Sequence, residues 1–308
     1  MDEPLDCAVV GAGPAGLTAA LYLSRFRRPI AVFDAGRSRA RWIPASHNCP
    51  GMPSGVGGEE FLARLAAQAR ACGARIESGE VSAIVRLPAE AHGGFVVDCG
   101  GARLTARTVV LATGCEDVLP RMASLHDAVA RAALRFCPIC DAYEAIDRDI
   151  AVHGPLADAV SHAEFLRTYS SRVTVVPADR APDETLRARM LRGGIAFTAA
   201  SDVVHFDGER CVFSIDGRER PFGVVYALLG SRQRSKLALA LGAACDDEGA
   251  LRVDDHQRTS VPGVYAIGDV VSALNQIAVA TDHAAIAATA VYNALPPRPV
   301  EATRLRVR

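Results

Sequence analysis

Residues 5–34, LDCAVVGAGPAGLTAALYLSRFRRPIAVFD, carry the pattern on which the architecture turns. LDCAVV is a short apolar run of strand character, GAGPAG a glycine-rich turn, PAGLTAALYLSRF an Ala/Leu-rich helix, and RPIAVFD a second strand ending in Asp34. The turn sets Gly11, Gly13 and Gly16 in a G-x-G-x-x-G spacing, with Pro14 and Ala15 opening the helix. In such a turn the first glycine makes the tight bend, the second lets a pyrophosphate approach the backbone, and the third lets helix pack close on strand. The phosphate rests on the helix N-terminus, where free N–H groups and the dipole favour an anion. Asp34 stands where a carboxylate accepts from a ribose hydroxyl. Strand, turn, helix and acid in this order predict a bound dinucleotide.

Downstream, GGEEFLARLAAQARACG predicts an amphipathic helix, with short strands around ARIESGEVSAIVRL and GGFVVDCGG. LTARTVVLATG then closes an apolar strand on Ala112, Thr113 and Gly114, as many flavoproteins close the first half of a cofactor domain. The other half lies in the final third, where LRVDDHQRTSVPGVYAIGDVV predicts two strands and a turn ending in Gly268 and Asp269. A carboxylate there is placed to hold the ribityl chain of a flavin. The long helix from Asn275 points its positive end at the pyrimidine edge, which gains negative charge on reduction. Residues 118–243 predict a second unit set into the first: strand and helix alternate through RDIAVHG, ADAVSHAEFLRTY, SRVTVV and APDETLRARMLRGG, and strands follow at CVFSIDG and PFGVVYALLG. The expected fold class is α/β, with two Rossmann-like, three-layer dinucleotide-binding domains, the first split into 1–117 and 244–308.

Composition excludes several roles. Half of the 308 residues are hydrophobic, enough for two packed cores, and the formal net charge is -1 with cations scattered. Nothing in this favours nucleic acid or a membrane surface. The start MDEPLDCAVV has no signal-peptide pattern, and the Ala-rich segment from Asn275 is broken by Asp282 and His283, which suits a buried helix better than a membrane span. A soluble, cytoplasmic protein is expected, with 298–308 a solvated basic tail. Of nine cysteines only Cys137 and Cys140 form a motif, and single thiols fit a reducing cytosol. No second C-x-x-C or pair of histidines at ligand spacing accompanies them, so no metal site is expected. His47, His153 and His283 read as structural histidines.

C-P-I-C-D at 137–141 joins two cysteines close enough to bridge with an adjacent proton acceptor, Asp141. Pro138 suits the first helical position, and a helix N-terminus lowers a thiol pKa. Together with GAGPAG, NCPGMP at 48–53, ATG at 112–114, and TSVPGVYAIGDV followed by NQIAVA, this motif makes the chain resemble the low-molecular-weight thioredoxin reductases, from about Leu5 to Leu295. The resemblance implies FAD as cofactor, Asn48 near the isoalloxazine, Asp269 on the ribityl chain, and Gln276 with Ile277 at the pyrimidine end. It also implies Cys140 as the thiol nearest the flavin, Asp141 as acid/base, and a homodimer whose inserted domain rotates between flavin and a thioredoxin-like partner.

The inserted turn departs from that family. It reads G-P-L-A-D-A, with Leu156 in place of the second glycine, where an isobutyl group is expected to fill the phosphate's space. The next strand is followed by Pro177, Ala178 and Asp179 instead of a His-Arg-Arg cluster for a 2′-phosphate, with Arg180 a displaced substitute at best. Poor or absent NADPH binding is therefore expected, with electrons supplied by ferredoxin, a reduced flavin or another donor. The alternatives are an FAD-dependent dithiol oxidase using oxygen and acting on a small dithiol, an ordinary NADPH-dependent thioredoxin reductase, and a non-enzymatic redox-sensing flavoprotein. Segment 36–48 also departs from the family's Gly-Gly-Gln pattern, and Ala142 stands where relatives often carry Gly. The sole tryptophan, Trp42, either covers the cofactor or fills the domain interface.

Overall fold

The computed structural model describes residues 3–88, 93–271 and 274–299, so the expected tail lies outside the described residues from 300 onward. The chain opens with β1 (Leu5–Val10), α1 (Pro14–Arg25) and β2 (Ile30–Asp34), followed by α2 (Gly58–Ala71), β3 (Arg75–Ser78), β4 (Val81–Arg86), β5 (Phe95–Cys99) and β6 (Ala102–Leu111). β1 is buried along its whole length, which fits a strand apolar but for the ion-paired Asp6: a strand inside a parallel sheet is covered on both faces. The parallel order is β3-β2-β1-β6, with Val9 registered on Val32 and Val110. The long β6 also pairs antiparallel with β5, and β5 with β4, giving a meander that forms the third layer.

The chain leaves this unit through β7 (Cys115–Asp117) and continues into α3 (Leu125–Ala130), β8 (Leu134–Arg135), α4 (Pro138–Asp141), β9 (Ile150–Gly154), α5 (Leu156–Leu166), β10 (Val173–Pro177), α6 (Glu184–Arg192) and β11 (Ala196–Phe197). Next come β12 (Val204–Phe206), β13 (Cys211–Ile215), β14 (Arg218–Phe222) and β15 (Val224–Ala227). The second parallel sheet runs β11-β10-β9-β15-β8. One face packs on α5 and α6 through Leu156, Ala159, Ala163, Leu166 and Met190. The other packs on the antiparallel sheet β12-β13-β14 through Cys211, Phe213 and Phe222. Asp183 caps α6, its carboxylate accepting from the Leu186 N–H at 2.9 Å.

The return strand β16 (Ser231–Gln233) pairs antiparallel with β7. Immediately after it, α7 (Lys236–Ala240) buries Ala238 in the first unit's core, with Ala243 in the same cluster. Leu237, Ala238, Leu241 and Ala243 thus pack on the first unit's core ahead of the expected boundary at 244, while Leu239 is exposed. Of the two strands expected between 251 and 271, one forms: β17 (Val264–Ala266), beside β6. Leu251 makes only an isolated bridge to Cys245, the segment between being held by Asp254, whose carboxylate accepts from the His256 and Arg258 N–H groups.

The chain closes with α8 (Ile277–Ala294), which lies against α1. Ala19 and Ala20 of one and Ala284, Ala287 and Ala288 of the other are fully buried, so small side chains let the two helices approach closely. The C-terminus of α8 is tied down by buried Arg28, which donates to the carbonyls of Tyr292 at 3.1 Å and Pro296 at 2.8 Å and pairs with buried Asp6 at 3.3 Å. Arg298, expected in the free tail, pairs with Glu3 at 2.9 Å and Asp6 at 3.3 Å. No helix among the described residues is long and apolar enough to cross a membrane.

Candidate active site

A cavity of about 890 Å³ runs along the C-terminal ends of β1, β2 and β6 and across to the inserted unit. Its floor is the GAGPAG turn. A Cβ at Gly11 would meet the Ala112 carbonyl oxygen at 2.3 Å, and one at Gly16 would meet the Gly11 carbonyl oxygen at 1.9 Å, so the first glycine is demanded by the close approach of the end of β6 and the third by packing within the turn. Gly13 differs: its Cβ would meet only the Ser38 hydroxyl, at 3.3 Å, and would otherwise point into open cavity. This is a cradle that a side chain would fill, at the start of a helix that Pro14 opens and no side chain caps. The arrangement fits the diphosphate of FAD. Asp34 lines the same cavity from the end of β2, its Oδ1 accepting from the Gly36 N–H at 2.8 Å. Ala15, Ala112, Thr113 and Gly114 line it too, and Thr113 donates its hydroxyl to the Arg234 carbonyl at 2.7 Å.

Farther along, Asp269 follows Gly268, whose φ of +73° bends the chain into the cavity. Burial lifts the Asp269 carboxyl above its ordinary range, while Arg39 opposes this from 3.4 Å. Arg39 in turn holds Asp117 at 2.6 Å. Beside them lies the thiol of Cys115, 3.9 Å from Asp269 and pushed up to about 11 by burial. Asn275 donates to this sulfur at 3.7 Å. Asn275 opens the NQIAVA segment, but neither Arg39 nor Cys115 belongs to a spacing motif. A lone Arg in a chain rich in Arg, or a lone Cys after ATG, gives no signal in sequence.

The N-terminus of α8 meets the cysteine pair. Cys137 and Cys140 form a disulfide with Cα atoms 5.3 Å apart, and Pro138 is the first residue of the single-turn helix α4, as its missing N–H favours. The Gln276 amide donates to Cys140 Sγ at 3.3 Å and lies 3.6 Å from Cys137 Sγ, while its carbonyl accepts from Asn48 at 3.0 Å. Asn48, Gln276, Ile277 and both cysteines therefore share one wall of the cavity. Asp141 lies behind the pair. Burial pushes its carboxyl up to about 6, against the pull of Arg135 and of a hydrogen bond from Tyr226.

In the inserted unit the turn between β9 and α5 departs from expectation. The Leu156 side chain does not lie in the phosphate position: it is the first residue of α5 and is fully buried in the core with Ile150, Val152 and Val160. What meets the helix start instead is Asp179, whose carboxylate accepts from the Leu156 N–H at 3.0 Å. An acidic side chain thus holds an N–H that a diphosphate would use. Arg180 turns away to Asp183, at 3.7 Å.

His153 is buried with Nδ1 at 3.0 Å from the Val176 carbonyl, and His283 Nδ1 accepts from the Gly268 N–H at 3.3 Å. Burial lowers the pKa of both, as structural histidines behave. His47 is exposed, its ring against Gly55. Trp42 lines the cavity and stacks on His126 of the inserted unit with ring centroids 4.6 Å apart, so it bridges the two units.

Comparison with known proteins agrees with this geometry. The thioredoxin reductase of Listeria monocytogenes is 28% identical, over 92% of this chain and 91% of its own. The crystal structure of the Streptococcus pyogenes thioredoxin reductase superposes with a TM-score of 0.84 at 27% identity, over 95% and 98% of the two chains. That of HlmI gives a TM-score of 0.87 at 26% identity, over 95% and 93%. The family model for pyridine nucleotide-disulphide oxidoreductases matches residues 5–284. With a nucleotide cradle in one unit and a disulfide from the other against its wall, the chain belongs to the pyridine nucleotide-disulphide oxidoreductase family, as a flavin-dependent disulfide oxidoreductase similar to the thioredoxin reductases.

Proposed function

We propose that the chain passes two electrons between FAD and the Cys137–Cys140 couple, and onward to a thioredoxin-like protein or a small dithiol/disulfide substrate, with a donor other than NADPH such as ferredoxin. The observation that carries this reading is the Asp179 carboxylate on the Leu156 N–H, in a unit whose disulfide stands against Gln276. In this reading Gly11, Gly13, Pro14, Ala15, Gly16 and Asp34 hold the nucleotide end of FAD. Asn48, Ala112, Thr113, Gly114, Gly268, Asp269, Gln276 and Ile277 hold the flavin end. FAD, when bound, supplies the two-electron carrier. The chain's own residues orient and protonate: Gln276 fixes the sulfur pair from the flavin side, and Asp141 holds the proton that Cys137 and Cys140 exchange. A homodimer and a reducing cytoplasm belong to the same reading.

The test is anaerobic mixing of the FAD-loaded protein with NADPH while flavin absorbance is followed. No rapid bleaching is expected, whereas chemically reduced ferredoxin bleaches the flavin and, with thioredoxin added, yields free thiols. Rapid bleaching by NADPH would make this an ordinary NADPH-dependent enzyme. Oxygen uptake driven by small dithiols, with ferredoxin inert, would make it a dithiol oxidase.

A further inference from the structure

Two residues outside the C-P-I-C-D motif end on its aspartate. β8 and β15 are neighbouring parallel strands in which Arg135 is registered with Tyr226, and only Phe136 separates Arg135 from Cys137. Strand pairing therefore delivers a guanidinium and a phenol to the turn that carries the sulfur pair. The Tyr226 hydroxyl lies 3.0 Å from Asp141 Oδ1 and 3.2 Å from the Asp141 carbonyl oxygen. Arg135 Nη1 donates to that carbonyl at 2.7 Å and stands 3.5 Å from Oδ2, while its Nε donates to the Ala132 carbonyl at 3.0 Å. Both side chains are buried, with Tyr226 wholly so. The other charged group facing Asp141 is Glu144, one turn on, which opposes its ionisation.

We propose that Arg135 and Tyr226 are positioning residues that fix the Asp141 carboxyl beside the sulfur pair and set the pH at which it takes a proton from the dithiol. The proposal rests on the reading of Cys137–Cys140 as the redox couple. A buried guanidinium stays charged across the working range, so an ionised Asp141 balances it, and a phenol donating to the carboxylate favours the same ionised form. Burial and the neighbouring Asp141 push the Tyr226 ionisation upward, so it remains a donor. The step balances without an added reductant. As the reduced pair meets an external disulfide, one thiol gives its proton to Asp141, and its sulfur attacks the partner's disulfide and expels a thiolate. The second thiol then closes the Cys137–Cys140 bond and expels the other, and the two protons end on the two departing sulfurs, one of them by way of Asp141.

Two measurements test this, neither needing flavin turnover. The first is a carbon-13 NMR titration of the Asp141 carboxyl in aspartate-labelled protein. The second is the pH dependence of the rate at which the prereduced protein reduces dithionitrobenzoic acid. In Y226F the carboxyl midpoint is expected to rise by about one pH unit, and the low-pH limb of the rate to move with it, because a hydrogen bond favouring the charged form is gone. R135K keeps the charge but loses the fork, and is expected to move the midpoint in the same direction; it serves where Y226F does not fold. D141N abolishes the limb. Superposable midpoints and limbs in wild type and in whichever of the two variants folds would overturn the proposal. Should C137S and C140S lose the exchange in that same experiment, the redox assignment stands while the positioning role falls. Should they exchange two electrons as fast as wild type, the redox assignment and the proposal resting on it both fall.

Discussion

Asp179 is the residue on which the electron-donor argument can be decided, and D179A is the informative change. In the wild type its carboxylate accepts the Leu156 N–H at 3.0 Å at the start of an eleven-residue helix. Removing such an acceptor costs about 1 kcal/mol, the usual worth of an N-terminal side-chain partner, so urea unfolding should show a loss of that size. The same change frees the N–H and lifts a negative charge from the diphosphate position. Like charges about 4 Å apart repel by roughly 1 kcal/mol in water and about 4 kcal/mol at an effective dielectric near 20, so a gain of about 1–3 kcal/mol in NADPH binding follows, or roughly five- to 150-fold. Stopped-flow mixing with NADPH under nitrogen reads this as faster flavin bleaching at a given concentration. L156A is the contrasting variant. Its side chain faces the core, so it should lose about 2–5 kcal/mol of stability and gain no NADPH reactivity. Two results would refute the reasoning: D179A as stable as wild type, or wild type and D179A bleached by NADPH at the same rapid rate.

Four further substitutions probe the cofactor unit and the buried charges. G16A should abolish flavin binding and destabilise the turn, since its Cβ would lie 1.9 Å from the Gly11 carbonyl oxygen; G13A should leave unfolding nearly unchanged and weaken FAD binding by roughly ten- to 100-fold, as read by flavin fluorescence titration. Asp141 is raised from 3.8 to about 6, so the native state holds its proton after the unfolded chain has lost it. Relative to D141N, wild type should therefore lose up to about 3 kcal/mol as pH rises from 4 to 7, a change that parallel melting curves would contradict. R28M leaves Asp6 to Arg298 at 3.3 Å and Arg107 at 3.5 Å but strips the donor from the Tyr292 and Pro296 carbonyls at the end of α8; about 1–3 kcal/mol of stability should vanish in urea unfolding.

The cofactor unit was legible in sequence because its constraints are local. Gly16 is needed for a contact with Gly11 in its own turn, the glycine spacing is fixed by the strand-to-helix bend itself, and β1 and β2 are largely apolar runs broken by turn residues. The same holds for Pro138 before Cys140 and Asp141. The substitution at Leu156 does not crowd the phosphate position, because helix α5 begins at that residue and turns the side chain inward, an orientation that the glycine spacing alone does not encode. The group that takes the N–H comes from the neighbouring strand's end, 23 positions away. Arg39 between Asp117 and Asp269, and Arg135 with Tyr226 on Asp141, are likewise products of strand pairing and chain return. Such partners have no fixed spacing to find.

Trp42 gives the molecule a built-in optical gauge. The chain's single indole belongs to the unit that holds the nucleotide cradle, while its stacking partner His126 and its edge-on neighbour Phe136 belong to the unit that carries the sulfur pair. Swinging one unit away from the other strips both rings from the indole at once and wets it. The emission maximum of unmodified protein should then shift to the red whenever the disulfide leaves Gln276, reporting the swing without any attached dye.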